Sequence, residues 1–124
     1  MAKARLVYTK FWSDNWIVGL DPLERYLYLY LLTNEHTNIS GIYELPLKIM
    51  AFETGLDNSV LPNMLARFEG KIHYIDGWLC IKNFIKHQSS QSKTVKIGIK
   101  EHLRPVPIEI KDKLIEYGYP IHKI

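Results

Sequence analysis

The stretch DNSVLPNMLARFEGKIHYIDGWLCIKNF, residues 57–84, decides the fold. Its first half sets Val60, Leu61, Met64, Leu65 and Phe68 at helical spacing and leaves Ser59, Pro62, Asn63, Ala66 and Arg67 on the other side. Pro62 has no N–H and is tolerated only in a first turn, so the predicted N-cap is Asn58 or Ser59 rather than Asp57. Gly70 is the expected left-handed C-cap. In the second half, Asp76-Gly77 between KIHYI and WLCIKNF predicts a hairpin closed by a two-residue type I′ turn. That loop sets Lys71 opposite Lys82, Ile72 opposite Ile81, His73 opposite Cys80, Tyr74 opposite Leu79 and Ile75 opposite Trp78. Ile72, Tyr74, Leu79 and Ile81 then form an apolar inner face, and the other pairs face outward. Two lysines facing each other repel unless solvent or an anion such as phosphate compensates.

Working outward, Leu45, Ile49, Phe52 and Leu56 recur at helical spacing behind Pro46 at N1, and Lys48 points away from them. The break Thr54-Gly55-Leu56 joins this helix to the next, so residues 45–68 are predicted to be a helix-turn-helix with the hairpin as its wing. Gly41 to Leu45 alternates like a short strand and is a candidate third partner for the hairpin. Further upstream, Asp21-Pro22-Leu23-Glu24 is a helix start, with an N-cap acid, Pro at N1 and Glu at N3. The run ERYLYLYLLTN behind it is apolar nearly all round and belongs in the middle of the domain, with its tyrosine hydroxyls at the edge and Asn34 as its stop. Phe11, Trp12, Trp16, Ile17 and Leu20 suit a short helix or turn pressed on the core.

Downstream, a polar turn over 86–93 precedes a helix from about Ser92 to Arg104. Val95, Ile99 and Leu103 line one side of it, and Lys93, Lys96, Lys100 and Arg104 make a basic stripe on another. Gly98 inside it costs up to about 1 kcal/mol of helix stability. Pro105-Val106-Pro107 breaks the chain before a last helix, Ile108 to Tyr117, closed by Gly118. The expected organisation is a winged-helix domain with an N-terminal extension over 1–104, then a C-terminal helix and tail over 105–124 leading to a second domain. The fold class is α+β, mainly helical.

A chain of 124 residues with 47% hydrophobic content builds one buried core. No apolar run reaches the roughly 18 residues of a membrane span, and MAKARLVYTK lacks a signal peptide's apolar centre, which points to a cytosol. The single cysteine, Cys80, excludes an intrachain disulfide and a multi-cysteine zinc site and is expected in the core. Net charge of +3 is too mild to establish a nucleic-acid partner, so placement must decide. Nucleotide-binding loops of the GxxxxGK[ST] and GxGxxG types and the GxSxG nucleophile turn are absent. His36, His73, His87, His102 and His122 contain no HxxxH pair. We therefore expect no catalytic residue, no metal and no cofactor.

The residues Phe11-Trp12 with Asp14, RYLYLYLLTNEHTN with GIYELP, then AFETGL, RFEGKI and IKNFIKHQ also resemble the N-terminal domain of phage replisome organisers, which are DnaD-like replication initiation proteins. The resemblance spans roughly residues 5–105. It implies a winged-helix domain in the cytoplasm of a bacterial host. Such a domain binds origin DNA, or bridges DNA and a helicase or helicase loader, as replication starts. It also implies a second, C-terminal domain in full-length relatives. The start Asn58-Ser59-Val60-Leu61-Pro62 departs from the acid- or lysine-rich start of that helix in many relatives.

In a helix-turn-helix the second helix enters the major groove and the first crosses the backbone. Ser59, Asn63 and Arg67 are thus the expected base-edge or phosphate contacts, Arg67 being suited to guanine and Asn63 to adenine. Lys48, Lys71, Lys82 and His73 are the expected phosphate contacts, and the stripe Lys93, Lys96, Lys100 and Arg104 a second basic surface. Two other classes share these elements. One is a self-association or protein-docking module using Ile75 and Trp78 at the hairpin tip, or Phe11-Trp12; the other is a winged-helix transcriptional regulator.

Overall fold

The computed structural model describes residues 3–84 and 92–123. Among the described residues six α-helices and three strands follow one another: α1 (Asn15–Val18), α2 (Pro22–Thr33), β1 (Ile42–Glu44), α3 (Leu47–Thr54), α4 (Leu61–Ala66), β2 (Ile72–Ile75), β3 (Trp78–Ile81), α5 (Lys93–Leu103) and α6 (Ile108–Glu116). A 3₁₀ turn, Thr9–Ser13, precedes α1, and another, Pro120–Lys123, follows α6. The class is α+β. No helix among the described residues is long and apolar enough to cross a membrane.

Local signals set the helix start and the hairpin. Asp21 accepts from the Glu24 amide at 2.9 Å while Glu24 Oε1 accepts from the Asp21 amide at 2.9 Å, the reciprocal cap expected for α2. Asp76 and Gly77 have φ of +48° and +83°, as a type I′ turn requires, and the ladder pairs 72–81, 73–80, 74–79 and 75–78. β1 adds to the other edge of β3, with Ile42 opposite Cys80, giving the antiparallel order β1-β3-β2.

The sheet is covered on both faces. Leu27, Leu31, Leu45, Met50, Leu61, Leu65 and Phe68 from the helices α2 to α4 and their flanks pack on Tyr43, Ile72, Leu79 and Ile81. Trp16, Tyr28 and Phe68 meet edge to face within this cluster, with centroids 4.9 to 5.9 Å apart. The second face carries Ile42 and Cys80 against Ile99, Leu103, Val106, Ile110, Leu114, Tyr119 and Ile121, with Ile75 and Trp78 packed beside them. Cys80 is wholly buried, and burial pushes its thiol up to about 12. Position 104/105 falls inside this second cluster. Gly98 has a packing reason: a Cβ there would stand 2.7 Å from Ile39 Cδ1, so α5 approaches the loop before β1 closely because that residue has no side chain.

Several expectations need correction. Pro46 is the N-cap of α3 and not N1, so Leu45 lies before the helix, where its amide bonds to Gly77 O at 2.8 Å. The helical count therefore starts at Leu47, and Leu47, Met50, Ala51 and Thr54 face inward while Ile49 and Phe52 are 36% and 87% exposed. Val60 is the N-cap of α4. The Asp57 carboxylate accepts from the Ser59 amide and hydroxyl, closing a separate turn that delays the helix. Val60 itself is exposed rather than part of the apolar side. Gly70, at φ +92°, follows a run of turns and does not cap α4, whose last residue is Ala66 and whose C-cap is Arg67. Trp12 is 64% exposed, unlike Trp16, and α2 also exposes Leu23 and Tyr26. Residues 86–91 of the expected polar turn, His87 among them, lie outside the described residues.

Candidate nucleic-acid interface

α3 and α4 meet through the left-handed turn at Gly55, φ +77°, and their outward sides carry Lys48, Ser59, Asn63 and Arg67. Lys48 and Asn63 are exposed and bond to no other side chain among the described residues. Ser59 donates its hydroxyl to Asp57 at 2.7 Å, which leaves only its lone pairs for a ligand.

Arg67 has a partner that sequence spacing could not reveal. Its Nε lies 2.6 Å from Glu24 Oε2, and the Glu24 side chain is only 6% exposed against 61% for Arg67. Glu24 thus joins the cap of α2 to the end of α4 with both oxygens engaged. The only cation on the outward side of α4 is half committed to holding the helix in place. The capping role of Glu24 was legible in DPLE; its partner lies more than forty residues away and left no local signal.

The lysine pair at the hairpin base also resolves differently from its expectation. Lys82 donates its amide to Lys71 O at 3.0 Å, so the two are neighbours in the ladder. Their ammonium groups part, Lys71 Nζ lying 5.4 Å from the centroid of the Trp16 ring and Lys82 lying beside Gly118. No anion is needed to separate them.

His73, Ile75 and Trp78 are not the free outer face expected of a wing. Ile75 and Trp78 pack against the second cluster. His73 stacks on Tyr117 with centroids 4.4 Å apart and planes 12° from parallel, and its Nδ1 is 2.8 Å from the Tyr119 hydroxyl. That hydroxyl gives its single proton to Cys80 O at 3.0 Å, so it accepts from Nδ1–H, which places the neutral ring's proton on Nδ1. Burial, and next the Lys82 charge, hold the His73 pKa below the ordinary histidine value, against a smaller upward pull from Glu69. A depressed pKa means that the unfolded chain binds the proton first as pH falls. The stability His73 contributes is therefore whole above about 6.5 and drains away below it, down through the folded-state value. The melting temperature of the parent is expected to fall more steeply between pH 7 and 5 than that of His73→Gln; parallel curves would refute the assignment.

Lys93, Lys96, Lys100 and Arg104 are all exposed along α5, and Arg104 pairs with Glu101 at 2.9 Å. Elsewhere, Glu35, His36 and Glu53 hold ligand-type atoms within 4.8 Å of one another. His36 Nε2 lies 3.0 and 3.1 Å from the two Glu53 oxygens, and the Tyr30 hydroxyl donates to the same carboxylate. That hydroxyl bond is the first cause of a lowered Glu53 pKa.

No family model, curated protein or solved structure matches this chain.

Proposed function

We propose that this chain is a winged-helix DNA-binding domain, contacting duplex DNA through the outward side of α3 and α4, in a protein that acts at the start of phage or prophage replication. The observation that carries the DNA-binding part is the order α2-β1-α3-α4-β2-β3 with β1 paired to the far edge of the hairpin, the connectivity of a winged helix-turn-helix. The replication role rests on the residue resemblance to replisome organisers, and with it come origin DNA and a helicase or helicase loader as partners. In this reading the protein is not an enzyme; it positions DNA and works in the bacterial cytoplasm.

Asn63 offers a paired donor and acceptor to adenine, and Ala66 beside it lets the helix approach. Lys48 and Lys71 supply phosphate contacts. With His73 neutral and Lys82 on the other side of the sheet, the count of neutralised phosphates on this face drops from about four to about two. The affinity for duplex DNA is then expected to fall with salt at a slope near −1.8 on logarithmic axes. A slope near zero, or no binding at low salt, contradicts the reading.

One observation favours protein docking as a second reading. Phe52 is 87% exposed on α3, one turn from Ile49, and an open phenylalanine on a regular helix is a contact waiting for an apolar partner. Light scattering separates the two: a monomer that binds duplex supports the first, and a stable oligomer with no affinity for DNA supports the second.

A further inference from the structure

The far face of the hairpin holds a flat aromatic surface with a cation beside it. Tyr117, the C-cap of α6, lies parallel on His73, which backs one side of its ring, and the residue is 44% exposed. His73 is itself fixed by the Tyr119 hydroxyl, which is anchored to the Cys80 carbonyl. The stack is thus tied by hydrogen bonds to the central strand. Immediately after Tyr117 the chain turns at Gly118, φ +91°, and Lys82 passes over that turn: a Cβ on Gly118 would stand 3.4 Å from Lys82 Cε and Nζ. Lys82 makes no ion pair among the described residues.

We propose that Tyr117, backed by His73, and Lys82 form a platform for single-stranded DNA, one base stacking on the Tyr117 ring and Lys82 contacting the adjoining phosphate. The chemistry fits this occupant. Every base has a π-face, so a fixed ring binds one without reading its identity, and an unpaired ammonium next to the ring matches the backbone charge. A duplex fits poorly, because its bases are already stacked on each other. The site lies on the opposite side of the sheet from the α3–α4 face assigned to duplex DNA, so either assignment can fail alone.

The test is fluorescence anisotropy of the full chain with a labelled thymidine oligonucleotide, alongside a labelled duplex. Tyr117→Ala is expected to weaken oligonucleotide binding roughly tenfold, the effect of losing one base stack, while Tyr117→Phe keeps the parent affinity. Lys82→Gln is expected to reduce the salt slope for the oligonucleotide by about 0.7. Folding of each variant is checked by circular dichroism. A folded Tyr117→Ala that binds the oligonucleotide like the parent overturns the proposal. Should that variant not fold, an unchanged slope in Lys82→Gln overturns it. A parent that binds duplex but not the oligonucleotide also overturns it, and leaves the duplex reading standing.

Discussion

Cutting the chain after Arg104 is expected to abolish cooperative folding of what remains. Residues 105–124 supply Val106, Ile110, Leu114, Tyr119 and Ile121 to the second cluster, against Ile42, Cys80, Ile99 and Leu103 from the rest. Fully burying an aliphatic or aromatic side chain of this size stabilises by about 2 kcal/mol, so the five together contribute on the order of 10 kcal/mol. That is comparable with the whole net stability of a typical domain, roughly 5–15 kcal/mol. The cut would also expose Cys80 and Ile42, which are both wholly buried, and remove the hydroxyl that fixes His73. Near-ultraviolet circular dichroism and a thermal scan check this. A 1–104 fragment that melts cooperatively at the parent temperature would show that the second cluster is dispensable.

Arg67→Ala is expected to lower stability by about 2 kcal/mol, before any effect on DNA. The substitution leaves the Glu24 carboxylate buried with one oxygen unpartnered, and losing a charged hydrogen bond of this kind costs about 1.5–3 kcal/mol. The lower part of that range applies, because Arg67 is 61% exposed and solvent screens its side of the pair. In a domain of this size the melting temperature should drop by roughly 8 °C. Glu24→Gln in the same background should recover part of the loss, since a neutral amide does not require the cation and can still accept from the Asp21 amide. If Arg67→Ala melts like the parent, the ion pair has no structural role and Arg67 is free to serve the DNA. A loss of DNA affinity in Arg67→Ala is interpretable only beside its stability.

The residues that were legible from sequence are those whose partners are near in the chain. Asp21-Pro22-Leu23-Glu24 and Asp76-Gly77 each satisfy their backbone within a few residues, and both features stand where the sequence puts them. The third strand was also readable, because Gly41 to Leu45 alternates and the hairpin needs an edge partner. The inward side of α3 was misread for a local reason: Leu45 is apolar and buried but precedes the helix, so counting from it turned the periodicity by two residues and hid Phe52 inside.

The candidate site was less legible, and the reason is distance along the chain. Lys48 and Asn63 could be placed because they only had to point outward. Arg67, Lys71, His73 and Lys82 look alike in sequence, as polar residues at outward positions. Their environments are set by Glu24, Trp16, Tyr117 with Tyr119, and Gly118, all at long range. The same long-range packing covers the outer hairpin face with α5 and α6, which turns Ile75 and Trp78 from an open tip into supporting core. Alternation along a strand identifies two faces; it does not say whether a later helix will cover the second.

In the proposed complex the outward side of α3 and α4 meets duplex DNA. The most direct measurement is an amide chemical-shift map of the isotope-labelled chain during titration with a duplex. Shifts concentrated at Leu47 and Lys48, over residues 58–67 and at Lys71 are the predicted result. Binding that moves amides only elsewhere, or a titration that moves none, would contradict it.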